Sequence, residues 1–184
     1  MRLEGKLQEL IDRSEIWQVM QRYARGLDRI DRELVRSCYF DDAIEDHGKF
    51  VGKVDDFIDW ALKNSLMFIE CHHALMNHSC EIEGDDAHAE TYYVFTGVLE
   101  KPPHLMTMGR YIDHFQRRDG EWRIANRVTL NEKLFGLSDF SFGADLPSAY
   151  GPKEALTGTR DRNDPSYHRP VRPRKPQPMR FWDP

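Results

Sequence analysis

Several features that define common protein classes are missing from this sequence. No apolar run approaches the roughly 20 residues that a helix needs to cross a bilayer. The first residues, MRLEGKLQELIDR, are charged and amphipathic, unlike a secretory signal. The three cysteines, Cys38, Cys71 and Cys80, form no CxxC pair, so no zinc ribbon is expected. We therefore expect a cytoplasmic protein with reduced thiols and no membrane partner.

Basic runs and phosphate-binding loops are also missing. The net charge is −5, and no cluster of Lys or Arg precedes the C-terminal region. Nucleic acid is therefore not expected as a partner. Neither a GxGxxG nor a phosphate-loop pattern occurs, so no nucleotide cofactor is expected. With 184 residues, of which 40% are hydrophobic and 31% charged, the composition is that of a globular protein with one sizeable core.

The first third of the chain has helical patterns. A short helix is predicted over residues 3–12, and Ser14 is a suitable N-cap for a second one. Apolar residues recur in that second helix at three- and four-residue spacing, which gives it one buried face. Asp28 lies near the helix end at the border of this face, beside Leu27. From the spacing alone, Asp28 is either a partly buried acid or a solvated carboxylate.

The remaining elements predict an α+β fold. Asp31 should cap a third helix over RELVRSCYF, and a strand, a turn and a helix over residues 53–68 follow. A histidine-rich strand comes next, then strands at 87–100, 104–117 and 121–132. The sequences Glu83-Gly84-Asp85-Asp86 and Asp119-Gly120 predict hairpin turns. Helices followed by strands favour a cone-shaped α+β barrel, in which N-terminal helices pack inside a curled, mainly antiparallel sheet. The mouth of such a cone is a suitable pocket for a small molecule.

The C-terminal region differs in composition from this domain. Eight of the ten prolines lie between Pro147 and Pro184, which disfavours helices and central strands. Disorder is one interpretation. However, the region holds many aromatic residues: Phe140, Phe142, Tyr150, Tyr167, Phe181 and Trp182. We therefore divide the chain into a domain over 1–137 and an extended arm over 138–184, which packs over its own or a neighbouring subunit.

The histidine-rich strand is the main candidate for the functional site. His72 and His73 are adjacent, so their side chains must point to opposite faces of a strand. We expect one of them inside a closed sheet and the other outside. Tyr92, Tyr93 and Phe95, on the next strand, are interpreted as core residues rather than as a substrate-binding surface.

Three separated blocks carry a family resemblance: RYARGLDRIDRELVRSCYFDDAIEDHGKFVG, CHHALMNHSCEIEGDDAHAETYYV and GRYIDHFQRRDGEWRIANR. Over roughly residues 8–135 the chain resembles the SnoaL-like polyketide cyclases. These proteins have the nuclear transport factor two-like, or cystatin-like, fold. Within that group it is similar to scytalone dehydratase and hexachlorocyclohexane dehydrochlorinase. This fold also hosts isomerases, cyclases and non-catalytic subunits, so fold alone does not give the reaction.

The resemblance implies a catalytic dyad. The acid that ends the second helix of those enzymes matches Asp28, and their histidine on the sheet matches His73. In such a dyad the carboxylate orients the imidazole and favours its protonated form. Tyr23, one helical turn before Asp28, would line the same pocket.

Three further positions are implied with departures from the family pattern. His47 stands where the dehydratase has a pocket tyrosine, and Tyr111 stands where it has an asparagine. Arg127 corresponds, within one residue, to a pocket arginine of the dehydrochlorinase. An elimination needs a base and a proton donor. We assign His73 as the base and Asp28 as its orienter, with Tyr23, His47 and Tyr111 as candidate donors.

The sequence therefore favours a cofactor-independent lyase, of dehydratase type, that acts on a hydroxylated aromatic or alicyclic small molecule. Retro-aldol cleavage of an aryl diol is a variant, and an isomerase or cyclase would need the same dyad. A non-catalytic assembly subunit, like the small subunit of ring-hydroxylating dioxygenases, is the alternative from another class. A metal site built from His47, His73, His78 and Asp46 is weakly supported, because no helical HxxxH spacing occurs. The resemblance implies a homotrimer or homodimer.

Overall fold

The computed structural model describes residues 3–138 and 159–170 of the chain. Within these residues the main elements follow in the order of helices first and strands later, as an α+β fold requires. They are α1 (Leu3–Asp28), α2 (Arg32–Arg36), β1 (Tyr39–Asp46), β2 (Val51–Lys53), α3 (Val54–Ser65), β3 (Glu70–Glu83), β4 (Asp86–Val98), β5 (His104–Arg118) and β6 (Glu121–Leu137).

The first helix is one continuous element, and the prediction of two helices separated at Ser14 is wrong. Residues on both sides of Ser14 are mostly strong helix formers, and neither glycine nor proline occurs between Lys6 and Arg25. Arg13 pairs with Glu9, one turn before it, at 2.8 Å. A serine cap has no role where the backbone before it is already helical, so Ser14 lies within α1.

Helix α2 begins as predicted and ends early. The Asp31 side chain accepts a hydrogen bond from the Leu34 backbone N–H at 3.1 Å, which confirms the predicted cap. The helix ends at Arg36, four residues before the predicted end, because Tyr39 and Phe40 already belong to β1. Tyr39 is fully buried there, and burial of an aromatic ring outweighs the continuation of a short helix.

The six strands form one sheet in the order β2-β1-β6-β5-β4-β3. Strand β1 pairs with β6 in parallel, and every other neighbouring pair is antiparallel. The predicted hairpins at Gly84 and Gly120 are confirmed, with φ of 65° and 82° at these glycines. The sheet is curled but not closed, because β2 and β3 remain its two edges. The expectation of a closed sheet is therefore wrong, whereas the mainly antiparallel α+β architecture is confirmed.

The concave face of the sheet packs on α1 and α3. From α1 the core contains Ile16, Met20, Tyr23 and Leu27, which are four of the five residues of the predicted apolar stripe. The fifth, Ile30, lies beyond the end of the helix with a φ of 54°. From the sheet it takes aromatic and aliphatic side chains of five strands. These are Tyr39, Ala43, Cys80, Ala87, Ala89, Tyr93, Tyr111, Phe115, Trp122 and Ile124. No helix among the described residues is long and apolar enough to cross a bilayer.

Part of the C-terminal arm, residues 159–170, lies against the C-terminal ends of α1 and α3 and the start of α2 in the same chain. The Arg160 guanidinium donates to the carbonyls of Asp28 at 3.1 Å, and of Ser65 and Phe68 at 2.7 Å each. The Tyr167 hydroxyl donates to the Asp31 carboxylate at 2.9 Å. The other arm aromatics, at 140, 142, 150, 181 and 182, lie outside the described residues.

Candidate active site

His73 and Asp28 form a direct pair between β3 and the end of α1. The His73 Nδ1 lies 2.7 Å from the Asp28 Oδ1, and the His73 backbone N–H donates to Oδ2 at 3.1 Å. An ionised carboxylate only accepts hydrogen bonds, so it holds the hydrogen on Nδ1 and leaves Nε2 unprotonated in the neutral ring. The side chains of His73 and Asp28 are 10% and 13% exposed. The two contacts with the Asp28 carboxylate thus fix the orientation of the His73 ring and hold β3 against the end of α1.

The strand periodicity explains why His73 and not His72 meets Asp28. His72 is exposed and His73 is half-buried, so the predicted opposite orientation is confirmed. Cys71 lies on the same side as His73, with its Sγ 3.7 Å from Asp28 Oδ1. Burial and then the charge of Asp28 raise the pKa of the Cys71 thiol to about 12. The thiol is therefore a weak hydrogen-bond donor to Asp28 at neutral pH.

His73 lines a cavity of about 150 Å³ between α3 and the inner face of the sheet. His73, Phe95 and Thr107 are cross-strand neighbours on β3, β4 and β5, so they form one row of its wall. The other lining residues are mostly apolar or aromatic: Leu27, His47, Phe57, Trp60, Ala61, Asn64, Ser65, Phe68, Tyr93, Tyr111 and Asn131. The cavity therefore suits a largely apolar molecule with few polar groups.

Tyr93 belongs to the core and Phe95 packs against it, as predicted, and both side chains also line this cavity. The Tyr93 hydroxyl donates to the Asn131 Oδ1 at 2.7 Å, across Gly109 of β5. A Cβ at Gly109 would lie 2.0 Å from the Leu130 carbonyl oxygen and 2.7 Å from the Tyr93 hydroxyl. Glycine at position 109 thus permits the Tyr93–Asn131 contact.

A second histidine–carboxylate pair lies at the other end of the sheet. His47 follows β1 directly, and its Nδ1 lies 3.0 Å from the Oε1 of Glu45. Glu45 is fully buried and also accepts from the Tyr39 hydroxyl at 2.8 Å and the Thr129 hydroxyl at 3.2 Å. His47 packs against Phe57, with ring centroids 5.2 Å apart. The pair places a second imidazole on the cavity wall.

Two of the predicted site residues lie below the cavity wall. Tyr23 is fully buried and does not line the cavity, so its predicted placement in the pocket is wrong. Its ring instead contacts the Arg127 guanidinium, whose carbon is 4.1 Å from the ring centroid. Arg127 is itself buried and donates to both Asp113 oxygens, at 2.5 and 2.9 Å. Arg127 therefore completes an internal ion pair and does not reach the cavity.

Burial and nearby charges determine the protonation of Arg127 and of the tyrosines around it. Burial lowers the pKa of Arg127, but the charge and hydrogen bonds of Asp113 outweigh it and raise the pKa well above its ordinary value. Burial raises the pKa of Tyr23 and, well above the ordinary range, that of Tyr111. Burial also raises the pKa of Tyr93 to about 12, helped by the charge of Glu132. At neutral pH these phenols are hydrogen-bond donors and not bases.

The dyad also borders a second, more polar hollow on the outside of α1. This hollow has a volume of about 370 Å³ and is lined by Trp17, Gln21, Ala24, Arg25, Asp28, Arg29, His73 and Leu75. Among residues 3–138 and 159–170, no three His, Cys, Asp or Glu side chains form a group that could hold a metal ion. His47, His73 and His78 thus do not converge with Asp46 on a metal site.

Several residues of the site were not predicted from the sequence, and the clearest is Glu45, which is buried behind the cavity wall and contacts His47. Glu45 and His47 are two positions apart at the end of a strand, and that spacing places both side chains on one face. This spacing was a usable signal. Trp60 and Asn131 carried no comparable signal, because their approach to the cavity depends on how α3 and the sheet pack.

The model of the SnoaL-like domain family matches residues 8–128 of this chain. A hexachlorocyclohexane dehydrochlorinase, LinA type 2, is 20% identical over 77% of this chain and 99% of its own, with a TM-score of 0.67. A candidate scytalone dehydratase from Novosphingobium aromaticivorans is 17% identical over 74% of this chain and 97% of its own, with a TM-score of 0.64.

A protein of unknown function with a cystatin-like fold, from Nostoc punctiforme, is 16% identical. It covers 66% of this chain and 92% of its own, with a TM-score of 0.58. No functionally curated protein matches the chain. At these identities the structural likeness shows the fold alone, and it confirms the predicted resemblance at that level.

Proposed function

This chain belongs to the SnoaL-like domain family, and we propose that it is a small-molecule lyase that needs no cofactor. The single observation that carries the proposal is the His73–Asp28 pair, 2.7 Å apart, whose histidine lies on the wall of an apolar cavity. An imidazole oriented by a carboxylate is the usual arrangement for a general base. Placed against an apolar wall, it favours proton abstraction from a small organic molecule.

In this reaction His73 Nε2 takes a proton from the substrate. Asp28 holds the Nδ1–H and compensates the charge that the ring gains. The departing group on the neighbouring carbon leaves with the bonding electrons, and a double bond forms. Tyr111 and His47 line the same cavity and are the candidate donors to the departing group.

The cavity supports a ring-shaped substrate. An apolar cavity of ~150 Å³ in another protein is known to hold benzene, and this cavity has about the same volume. Its walls are mainly aromatic, while the Tyr93–Asn131 pair and Thr107 offer a few polar groups. We therefore propose a hydroxylated aromatic or alicyclic compound as substrate and dehydration as the reaction.

The same base would serve two related reactions. Retro-aldol cleavage of an aryl diol would start from removal of a hydroxyl proton by His73, and an isomerase or cyclase would move the proton within one molecule. A non-catalytic assembly subunit would need neither an open cavity nor a histidine–carboxylate pair inside it. Side chains leave the cavity beside His73 open, and this supports an enzyme over a subunit.

The assignment is tested by incubating purified protein with hydroxylated aromatic and alicyclic compounds, without added cofactor, and following loss of water by mass spectrometry. We expect His73→Ala to lower the rate by about 10²–10⁴-fold, which is the usual contribution of a general base. The neighbouring exposed residue gives the matched control, His72→Ala, which should retain wild-type activity. Equal rates for His73→Ala and wild type would refute His73 as the base.

We also propose a cytoplasmic homodimer or homotrimer. The described cysteines Cys38, Cys71 and Cys80 are all free and buried, as in a reducing compartment. Apolar side chains on the convex face of the sheet support self-association and are considered below with the test of oligomeric state.

A further inference from the structure

The carboxylate of Glu45 is an unusual feature of the interior because the side chain is completely buried. It receives hydrogen bonds from the hydroxyls of Tyr39 and Thr129 and lies 3.0 Å from His47 Nδ1. Two of these three partners are neutral. Burying a carboxylate is costly unless it is both hydrogen-bonded and paired with a positive charge.

The other buried cation is already engaged elsewhere. The Arg127 guanidinium donates two hydrogen bonds to Asp113, and its Nη1 lies 3.4 Å from the Tyr39 hydroxyl. Arg127 is thus paired with Asp113, and it is linked to Glu45 through the Tyr39 hydroxyl, which donates to that carboxylate. Among the described residues, His47 is the one basic side chain in an ion-pair contact with Glu45. An imidazolium at His47 would restore neutrality to this cluster.

The position of His47 relates it to His73. Both imidazoles line the same cavity, but His47 follows β1 and His73 lies on β3. Strands β6, β5 and β4 separate β1 from β3 in the sheet, so the two rings enter the cavity from opposite ends of its curl.

The surroundings of His47 contain few other charges. On the α3 side its ring packs against Phe57 and Trp60, with centroids 5.2 and 5.8 Å away. The titratable groups on the same cavity wall are the phenols of Tyr93 and Tyr111 and the imidazole of His73. Burial raises the pKa of both phenols, so they remain neutral. Glu45 is thus the one carboxylate in a described contact with His47.

We propose that His47, held as an imidazolium by Glu45, is the general acid that protonates a departing hydroxyl group. This inference deepens the proposed function and rests on it. His73 takes the proton from the substrate carbon, the C–O bond breaks with its electrons going to oxygen, and His47 supplies the proton that completes water. The electrons of the C–H bond become the new double bond. His73 then returns its proton to solvent and His47 regains one, so the cycle balances.

This arrangement selects a substrate class. Hydroxide is a poor leaving group and needs a proton as it departs, whereas a halide departs as a stable anion without one. A second, charged imidazole therefore favours hydroxylated substrates over halogenated ones, although the fold is shared with a dehydrochlorinase. Glu45 acts through His47 and is a positioning residue.

The charge state is tested without any substrate, by ¹⁵N NMR of the histidine rings in the full chain at pH 7. We expect both ring nitrogens of His47 to be protonated in the wild type and one to lose its proton in Glu45→Gln. The matched control, Thr129→Val, removes a neutral contact to Glu45 but keeps the carboxylate, so His47 should remain doubly protonated. A neutral His47 ring in the wild type would overturn the inference.

The acid role is tested with the hydroxylated compound that wild-type protein turns over and with its analogue carrying chloride in place of the hydroxyl. We expect His47→Gln to slow loss of water by about 10²–10⁴-fold and to slow loss of chloride far less. Glu45→Gln should likewise slow loss of water far more than loss of chloride. His73→Ala should slow both reactions. Equal losses on both compounds would overturn the acid role while leaving the base intact. If no compound is turned over, the proposed function fails, and the NMR result still decides the charge of His47.

Discussion

At the residue scale, the interior is organised by Arg127, which lies between two tyrosine rings. Its guanidinium carbon is 4.1 Å from the Tyr23 centroid and 4.3 Å from the Tyr111 centroid, while Asp113 accepts two of its hydrogen bonds. The resemblance implied that Arg127 is a pocket residue, whereas the side chain is buried in this ion pair. The position of Arg127 could not be predicted because it depends on Asp113, and no sequence motif indicated that this strand residue points into the interior.

Loss of this ion pair should be costly. We expect Asp113→Asn to lower the free energy of unfolding by about 3–5 kcal/mol, because it leaves the Arg127 charge buried without a counter-charge. The measurement is urea denaturation at pH 7. The control is Asp42→Asn, which removes an exposed partner of Arg118 at 2.7 Å and should cost about 0–1 kcal/mol. Equal losses for the two variants would contradict the role assigned to burial.

Cys71 provides a prediction on pH dependence. Its thiol pKa of about 12, raised by burial and then by the Asp28 charge, keeps it protonated through the neutral range. We therefore expect Cys71→Ser to keep the activity and the pH profile of the wild type between pH 6 and 9, measured as kcat/KM. Asp28→Asn, by contrast, removes the acceptor of the His73 Nδ1–H and should lose most activity. A loss in Cys71→Ser as large as that in Asp28→Asn would indicate a role for the thiol in catalysis.

At the element scale, the sequence predicted those features of helices and strands that depend on residues close together in the chain. The cap at Asp31, the hairpins at Gly84 and Gly120, and the opposite faces of His72 and His73 all follow from short-range geometry. The break proposed at Ser14 was wrong because a cap signal has no effect without a change of backbone conformation before it. The parallel pairing of β1 with β6 joins strands far apart in the chain, and no local pattern encodes it.

The described part of the arm joins the C-terminal ends of two helices. Arg160 donates to the carbonyl of Asp28, which ends α1, and to that of Ser65, which ends α3. A positive charge at these ends is favourable because helix carbonyls there lack intrahelical partners. The arm thus contacts Asp28, the residue that orients His73. The sequence of the arm had predicted only that its aromatic residues pack over a subunit.

Removal of Arg160 should therefore affect both stability and activity. We expect Arg160→Ala to lower the free energy of unfolding by about 1.5–3 kcal/mol, the range for hydrogen bonds to a charged group. It should also lower kcat, because Asp28 loses a restraint. The control is Arg162→Ala on the same segment, whose side chain is 67% exposed and which pairs with Asp31 and Glu33. It should change stability by only about 0–1 kcal/mol. Indistinguishable variants would contradict a specific role for Arg160.

At the scale of the whole molecule, helices α1 and α3 cover one face of the curled sheet, and within residues 3–138 and 159–170 no helix packs on the other face. On the convex face, cross-strand neighbours Val128 and Ile112 lie beside Leu130, and Val128 is 42% exposed. Ile44 and Tyr92, 40% and 38% exposed, extend this apolar surface on β1 and β4. The α+β architecture was predictable from element order, but the cavity volume was not, because it depends on the curl of the sheet.

This convex surface is the expected contact between copies of the chain. We expect Val128→Lys to shift the protein from dimer or trimer to monomer, because a charge would be buried in the contact. Size-exclusion chromatography with light scattering measures the mass directly. Leu66→Lys is the control, since Leu66 is 68% exposed beyond α3 and away from this face. A wild-type protein that is already monomeric at high concentration would refute the proposal.

The parallel contact between β1 and β6 has a consequence for biosynthesis. β1 carries Glu45 and leads into His47, yet its neighbour on the inner side of the sheet is the last strand, which ends at Leu137. During translation, the edge of β1 that pairs with β6 therefore remains unpaired until about ninety further residues have left the ribosome. A ribosome-bound intermediate stalled before β6 should therefore expose an aggregation-prone edge of β1. A chaperone that binds nascent chains would protect this edge most at that stage.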